Sequence, residues 1–183
     1  MKLRNIAFVS LIGLYGVISA CSGSQTVATN STPAEEIVTS NVPSWFNVEG
    51  FVTEGLQHTS SASAISASSA TAIEKASASA RNRLEAELGV RLEAVRAQIA
   101  ETGNADVSKT DFLIILRNAH AQIVEAATIT NSEAVDEEGV FRGFATASIA
   151  KTDLAALLEK GFTGHPRYWG TFSGAPGFAT LVN

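Results

Sequence analysis

The chain has 183 residues, a formal charge of −5 and a single cysteine. This length suits one small domain with some flanking chain. The acidic balance without a basic cluster argues against nucleic-acid binding and against electrostatic docking on anionic lipid. One cysteine excludes an internal disulfide, so an exported domain built from this chain stands on its core alone.

Lys2 and Arg4 give the N-terminus a positive opening. Ile6–Val17 follows as an apolar run of about 12 residues, short of the roughly 20 that a spanning helix needs. Ser19 and Ala20, both small, then lead to Cys21. A charged start, a short apolar core and small residues before a cut site read as a secretory signal peptide over residues 1–20. Removing it leaves a mature chain at −7, because the first twenty residues hold two cations and no Asp or Glu.

Ile18-Ser19-Ala20-Cys21 resembles the bacterial lipobox, in which an aliphatic residue and two small ones precede an acylated cysteine. The resemblance implies diacylation of the Cys21 thiol, cleavage before it and N-acylation of the new terminus. One acyl chain binds a bilayer reversibly, and two or more hold it firmly. Ser22 stands where Asp would favour the inner membrane, so the resemblance points to the outer one.

Residues 21–42 combine Cys21 with a stretch rich in Ser, Thr, Ala and Asn, and read as a lipidated flexible tether. A coil of about 20 residues spans roughly 25 Å. Asn30-Ser31-Thr32 fits a glycosylation sequon, which has no meaning in a bacterial lipoprotein. Pro43-Ser44-Trp45-Phe46 opens the domain, its aromatic pair expected to plug a core edge.

Phe51–Leu56 reads as one short strand, bounded by Gly50 and a Ser-rich stretch. The Ala/Ser-rich stretch 61–80 runs on into charged, Leu-bearing sequence. Ile73, Ala76, Ala80, Leu84, Leu88, Val95 and Ile99 recur at helical spacing, so a long amphipathic helix is predicted over about 68–101, closed by Gly103-Asn104. A second helix is predicted after a Ser108 or Thr110 cap, with Phe112, Ile115, Ala119, Ile123 and Ala126 inward. Residues 127–135 and 140–149 then read as an antiparallel hairpin around Asp136-Glu137-Glu138-Gly139. Leu154–Lys160 reads as a short helix closed by Gly161, and 162–183 as an irregular tail with local turns.

The order strand, long helix, helix, hairpin, helix predicts an α+β fold: a single two-layer domain at 43–160, its small antiparallel sheet packed under a long amphipathic helix, with a Gly/aromatic tail at 161–183. Trp45 after Pro43, the strand with Gly55, the helix carrying Ala76, Ala80-Arg81 and Leu84, and the late strand pair resemble the Lpp-twenty-type outer-membrane lipoproteins. That family includes the flagellar lipoprotein FlgP. The resemblance covers about Val42 to Lys160 plus the lipobox, and departs from the family pattern in the Ser/Ala run 59–79 and in the tail. It implies packing residues, no catalytic residue and a flagellum-associated ring subunit.

Little else in the sequence carries chemistry. His58, His120 and His165 lie far apart, with no ligand spacing beside them, so neither a metal nor a cofactor is expected. Gly170-Thr171-Phe172-Ser173-Gly174 lacks the spacing of a nucleophile elbow. Asp136-Glu137-Glu138 lacks that of a calcium loop. Glu125, Glu133 and Glu138 offer no acid/base pairing. The expected function is therefore a non-enzymatic outer-membrane lipoprotein with a structural or protein-interaction role, its partners the membrane through Cys21 and copies of itself or other envelope proteins. Ala76 and Ala80 on the small-residue helix face, and Trp169 and Phe172 in the tail, are the expected interface; for the tail aromatics, covering the sheet is the favoured alternative. The rival reading is a periplasmic ligand-binding or regulatory module acting on cell-wall enzymes, which predicts a concave pocket with a few convergent polar groups.

Overall fold

A computed structural model describes residues 41–183. The expected signal peptide, the expected lipobox Ile18, Ser19 and Ala20 with Cys21, and most of the expected tether lie outside the described residues.

The chain first makes a hairpin, β1 (Phe51–Glu54) and β2 (Gln57–Ser66), turning at Gly55-Leu56. Helix α1 (Ser69–Glu101) follows. A 3-10 turn (Ala105–Ser108), α2 (Thr110–Ala121) and the single turn α3 (Ile123–Ala126) lead to β3 (Thr128–Glu137) and β4 (Val140–Ala150). Helices α4 (Lys151–Gly161), α5 (Pro166–Ser173) and α6 (Pro176–Val182) complete the chain. The strands form one antiparallel sheet in the order β1-β2-β4-β3, with α1 packed across it. This is the expected α+β fold, with a long helix on a small sheet.

The hairpin β3–β4 turns on Glu138 and Gly139, both in the left-handed region at φ 55° and 95°. Two positive φ values in a two-residue loop match the right-handed twist of the strands it joins. The turn is pinned where Gly139 N donates to Asp136 Oδ1 at 3.0 Å.

Ser68 caps α1, its hydroxyl accepting from Thr71 N. The helix buries Ala72, Ala76, Ala80, Leu84, Leu88, Leu92, Val95 and Ile99. These stand mostly four apart, and each such step advances about 40° beyond a full turn. The buried stripe therefore winds around the helix. Its alanine end lies on the sheet, and its Leu–Ile end lies among the helices that follow. The predicted stripe named Ile73, which is only half-buried, and omitted Ala72 and Leu92.

Small residues meet small residues where α1 crosses the sheet. Ala145 and Ala147 of β4, with Ala62 and Ala64 of β2, share the core with Ala76 and Ala80. A Cβ added at Gly143 would stand 2.2 Å from the Ala72 carbonyl oxygen. On the other face Phe144 is buried, and Phe46 packs edge-to-face on it at 4.9 Å, which fixes the start of the domain as the sequence suggested.

The expected strand Phe51–Leu56 is corrected to β1 and a turn at Gly55-Leu56, and residues 57–66, to which no element is assigned from sequence, form β2, paired along its whole length with β4 from Gln57↔Ala150 to Ser66↔Phe141. Residues 162–183 are not an irregular tail but two helices, each opened by a proline at its first turn, where the missing N–H costs nothing. They belong to the core: Phe172, Phe178 and Leu181 are buried in it beside Phe112 and Phe162. In α2 the inward residues are Phe112, Leu116 and Ala119, with Ile115 half-buried and Ala126 of α3 exposed. No helix among the described residues is long and apolar enough to cross a membrane.

Candidate functional site

A groove of about 700 Å³ lies between the β1–β2 hairpin, the C-terminal half of α1 and α6. Thr53 and His58 form the hairpin wall. Arg91, Ala94, Val95, Ala97, Gln98 and Glu101 form the floor on α1, and Gly177, Thr180 and Leu181 the far wall on α6. Arg91, Ala94, Gln98 and Glu101 follow one another at three, four and three residues, which places them on one helix face. The lining is mainly apolar or small, with a few polar groups, as in ligand sites.

His58 holds the two walls together. It is 1 % exposed. Its Nε2 lies 2.8 Å from the Leu181 carbonyl oxygen and its Nδ1 2.9 Å from Thr53 Oγ1. A carbonyl only accepts, so Nε2 carries the proton, and the Thr53 hydroxyl donates to Nδ1. Burial pushes the His58 pKa down, the Leu181 hydrogen bond opposes this, and the positive charges of Lys151 and Arg91 add to the lowering. The ring is thus a neutral tie.

The Thr53 hydroxyl and the His58 imidazole thus form one hydrogen-bonded pair on the groove wall, while on the α6 side Gly177 N donates to Gln98 Oε1 at 3.0 Å.

Arg91 is held in place. Its Nη1 donates to the Glu87 carbonyl oxygen at 2.9 Å and to Glu87 Oε2 at 3.1 Å, and its Cζ stands 3.9 Å over the Phe51 ring. The residue is half-buried, and its Nε and Nη2 make no hydrogen bond among the described residues.

The residues expected at an interface sit elsewhere. Ala76 and Ala80 are 0 % exposed, covered by the sheet, because their small size is what lets α1 approach β2 and β4 closely. Phe172 is also 0 % exposed, between Phe112, Phe162 and Phe178. Trp169 is half-buried, its ring 5.3 Å from Phe178 and 5.7 Å from Phe162. None of the first three presents a side chain to a partner. The aromatics of α5 and α6 are core, seated among α1, α2 and α4 rather than over the sheet.

The remaining polar features are structural ties. His120 Nε2 lies 2.7 Å from the Glu85 carbonyl oxygen and 3.0 Å from Glu85 Oε1, in space that Gly89 leaves open. His165 is exposed and precedes α5. Asp106 bridges Lys109 Nζ and Arg167 Nη2, each at 2.7 Å, and the Lys109 hydrogen bond is the main cause that holds its pKa below the ordinary carboxylate value. Among the described residues no three His, Cys, Asp or Glu side chains cluster to hold a metal.

Thr53, Arg91, Ala94, Gln98 and Glu101 are unremarkable in sequence, and α6, which makes the far wall, lies in the stretch expected to be an irregular tail. The spacing of Arg91, Gln98 and Glu101 on one face of a predicted helix was the available clue. No family model, no curated protein and no solved structure matches this chain.

Proposed function

We propose that this chain is a non-enzymatic, lipid-anchored outer-membrane protein whose folded domain binds a ligand in the groove between β1–β2, α1 and α6. The groove is the observation that carries the reading: it is concave, its lining is mainly apolar or small, and it has a few polar groups, the charged ones on one face of α1. The small-residue face of α1 and Phe172, which would have served a self-assembling ring, are consumed inside the domain. That shifts the balance from a structural subunit toward the ligand-binding or regulatory module. The lipobox at Cys21 and the signal peptide before it support the membrane anchor.

Native mass spectrometry of the protein released from membranes tests the binding half. The wild type is expected to carry an adduct that Ala97→Trp, which fills the groove from its floor, abolishes while the variant stays folded. A wild type without adduct, or an adduct that Ala97→Trp retains, contradicts the reading.

A further inference from the structure

The groove is electrically polar along its length. Arg91 stands near one end of its α1 floor and Glu101 at the other, ten residues apart in one helix. At 1.5 Å per residue the separation along the axis is about 15 Å. A ligand lying in the groove meets a cation at one end and a carboxylate at the other.

The middle of the groove is shaped for a backbone. Ala94, Ala97 and Gly177 leave little side chain between the ligand and the floor. The other polar atoms of the lining have definite vacancies. Thr53 gives its proton to His58, so its oxygen remains an acceptor. Thr180 gives its proton to the Pro176 carbonyl at 3.2 Å, so it too remains an acceptor. Gln98 Oε1 is taken by Gly177 N, so its amide nitrogen remains a donor. Two acceptors and a donor between small side chains match the alternating N–H and C=O of an extended peptide.

We propose that the groove binds a short zwitterionic peptide with small side chains, extended along α1, its C-terminal carboxylate on Arg91 and its amino terminus on Glu101. An extended chain rises about 3.3 Å per residue, so about four residues fill the distance. Arg91 suits the carboxylate because Glu87 and Phe51 fix its guanidinium while leaving Nε and Nη2 to make the two parallel bonds of a fork. The inference rests on the groove being the binding site.

The test is isothermal titration of the full-length protein, in detergent, with tetra-alanine, N-acetyl-tetra-alanine and tetra-alanine amide. Tetra-alanine is expected to bind, and capping either end to weaken it at least tenfold. Arg91→Gln is expected to remove the difference between the free and amidated peptides, and Glu101→Gln the difference between the free and acetylated ones. No binding by the wild type at millimolar tetra-alanine overturns the proposal, and so does binding indifferent to both caps. These two outcomes need only the wild type, so a poorly folding variant does not blunt them. If tetra-alanine fails while the native adduct is still lost in Ala97→Trp, the groove holds another ligand and the peptide proposal alone falls. If the adduct is absent as well, the reading of the groove falls with it.

Discussion

The imidazole of His58 bonds the carbonyl of Leu181 at 2.8 Å, joining residues 123 apart in the chain. One side chain of β2 thereby clamps the last helix onto the sheet, and the groove lies beside the clamp.

The clamp is sensitive to acid. Burial lowers the His58 pKa below its ordinary value of about 6.5, and Lys151 and Arg91 add to the lowering. A depressed pKa in the folded state means that the unfolded chain takes up the proton first, so stability is full above about pH 6.5 and falls as pH drops through the folded value. Urea unfolding at a series of pH values is expected to show a decline beginning near pH 6.5, and His58→Gln is expected to flatten it while lowering stability at neutral pH. A wild-type profile level from pH 7.5 to 5 contradicts the account.

Two glycines are expected to respond with opposite signs. Gly143→Ala drives a methyl to within 2.2 Å of the Ala72 carbonyl oxygen, a backbone atom that cannot swing aside, and overpacking of this kind costs about 1–3 kcal/mol or more. Gly170→Ala, inside α5, meets nothing within 4 Å and is expected to raise stability by up to about 1 kcal/mol. Thermal denaturation of both variants compares them directly. Equal effects indicate that α1 does not approach β4 as described.

The aromatic core of α5 and α6 is expected to be essential for folding. Phe172 is buried among Phe112, Phe162 and Phe178, and Phe→Ala in such a place costs about 3–5 kcal/mol. That is much of the 5–15 kcal/mol that holds a typical domain together. Removing residues 162–183 is expected to abolish the cooperative transition followed by tryptophan emission. A truncated chain that still unfolds cooperatively at the wild-type midpoint places these helices outside the core.

Glu138 is the one non-glycine at positive φ among the described residues. Asn tolerates this conformation better and suits the first position of a two-residue hairpin turn. Glu138→Asn is expected to stabilise by about 0.5 kcal/mol and Gly139→Ala to destabilise, both read as shifts of the urea midpoint.

The legible parts of the fold were those with contrast in the sequence. The hairpin β3–β4 announced itself through Glu138-Gly139 between β-branched runs, and α1 through its i, i+4 spacing. Strand β2 was illegible because its core face carries His58, Ser60, Ala62 and Ala64, with no large apolar side chain to mark a period of two; β4 and α1 hold it in the sheet by close approach. Helices α5 and α6 hid because Pro166 and Pro176 read as loop punctuation when they mark first turns. The groove required both missing elements, so its wall was invisible although its floor lay on a correctly placed helix. Ala76 and Ala80 show the reverse error: small residues allow close packing, and the partner turned out to be the chain's own sheet.

The proposed lipid anchor at Cys21 is tested by metabolic labelling with radioactive palmitate, together with the intact mass of the membrane-extracted chain. The account predicts label in the wild type, a chain that begins at Cys21 with two or three acyl groups, and loss of both label and membrane fraction in Cys21→Ser. An unlabelled wild type, or one cut elsewhere and released, contradicts it.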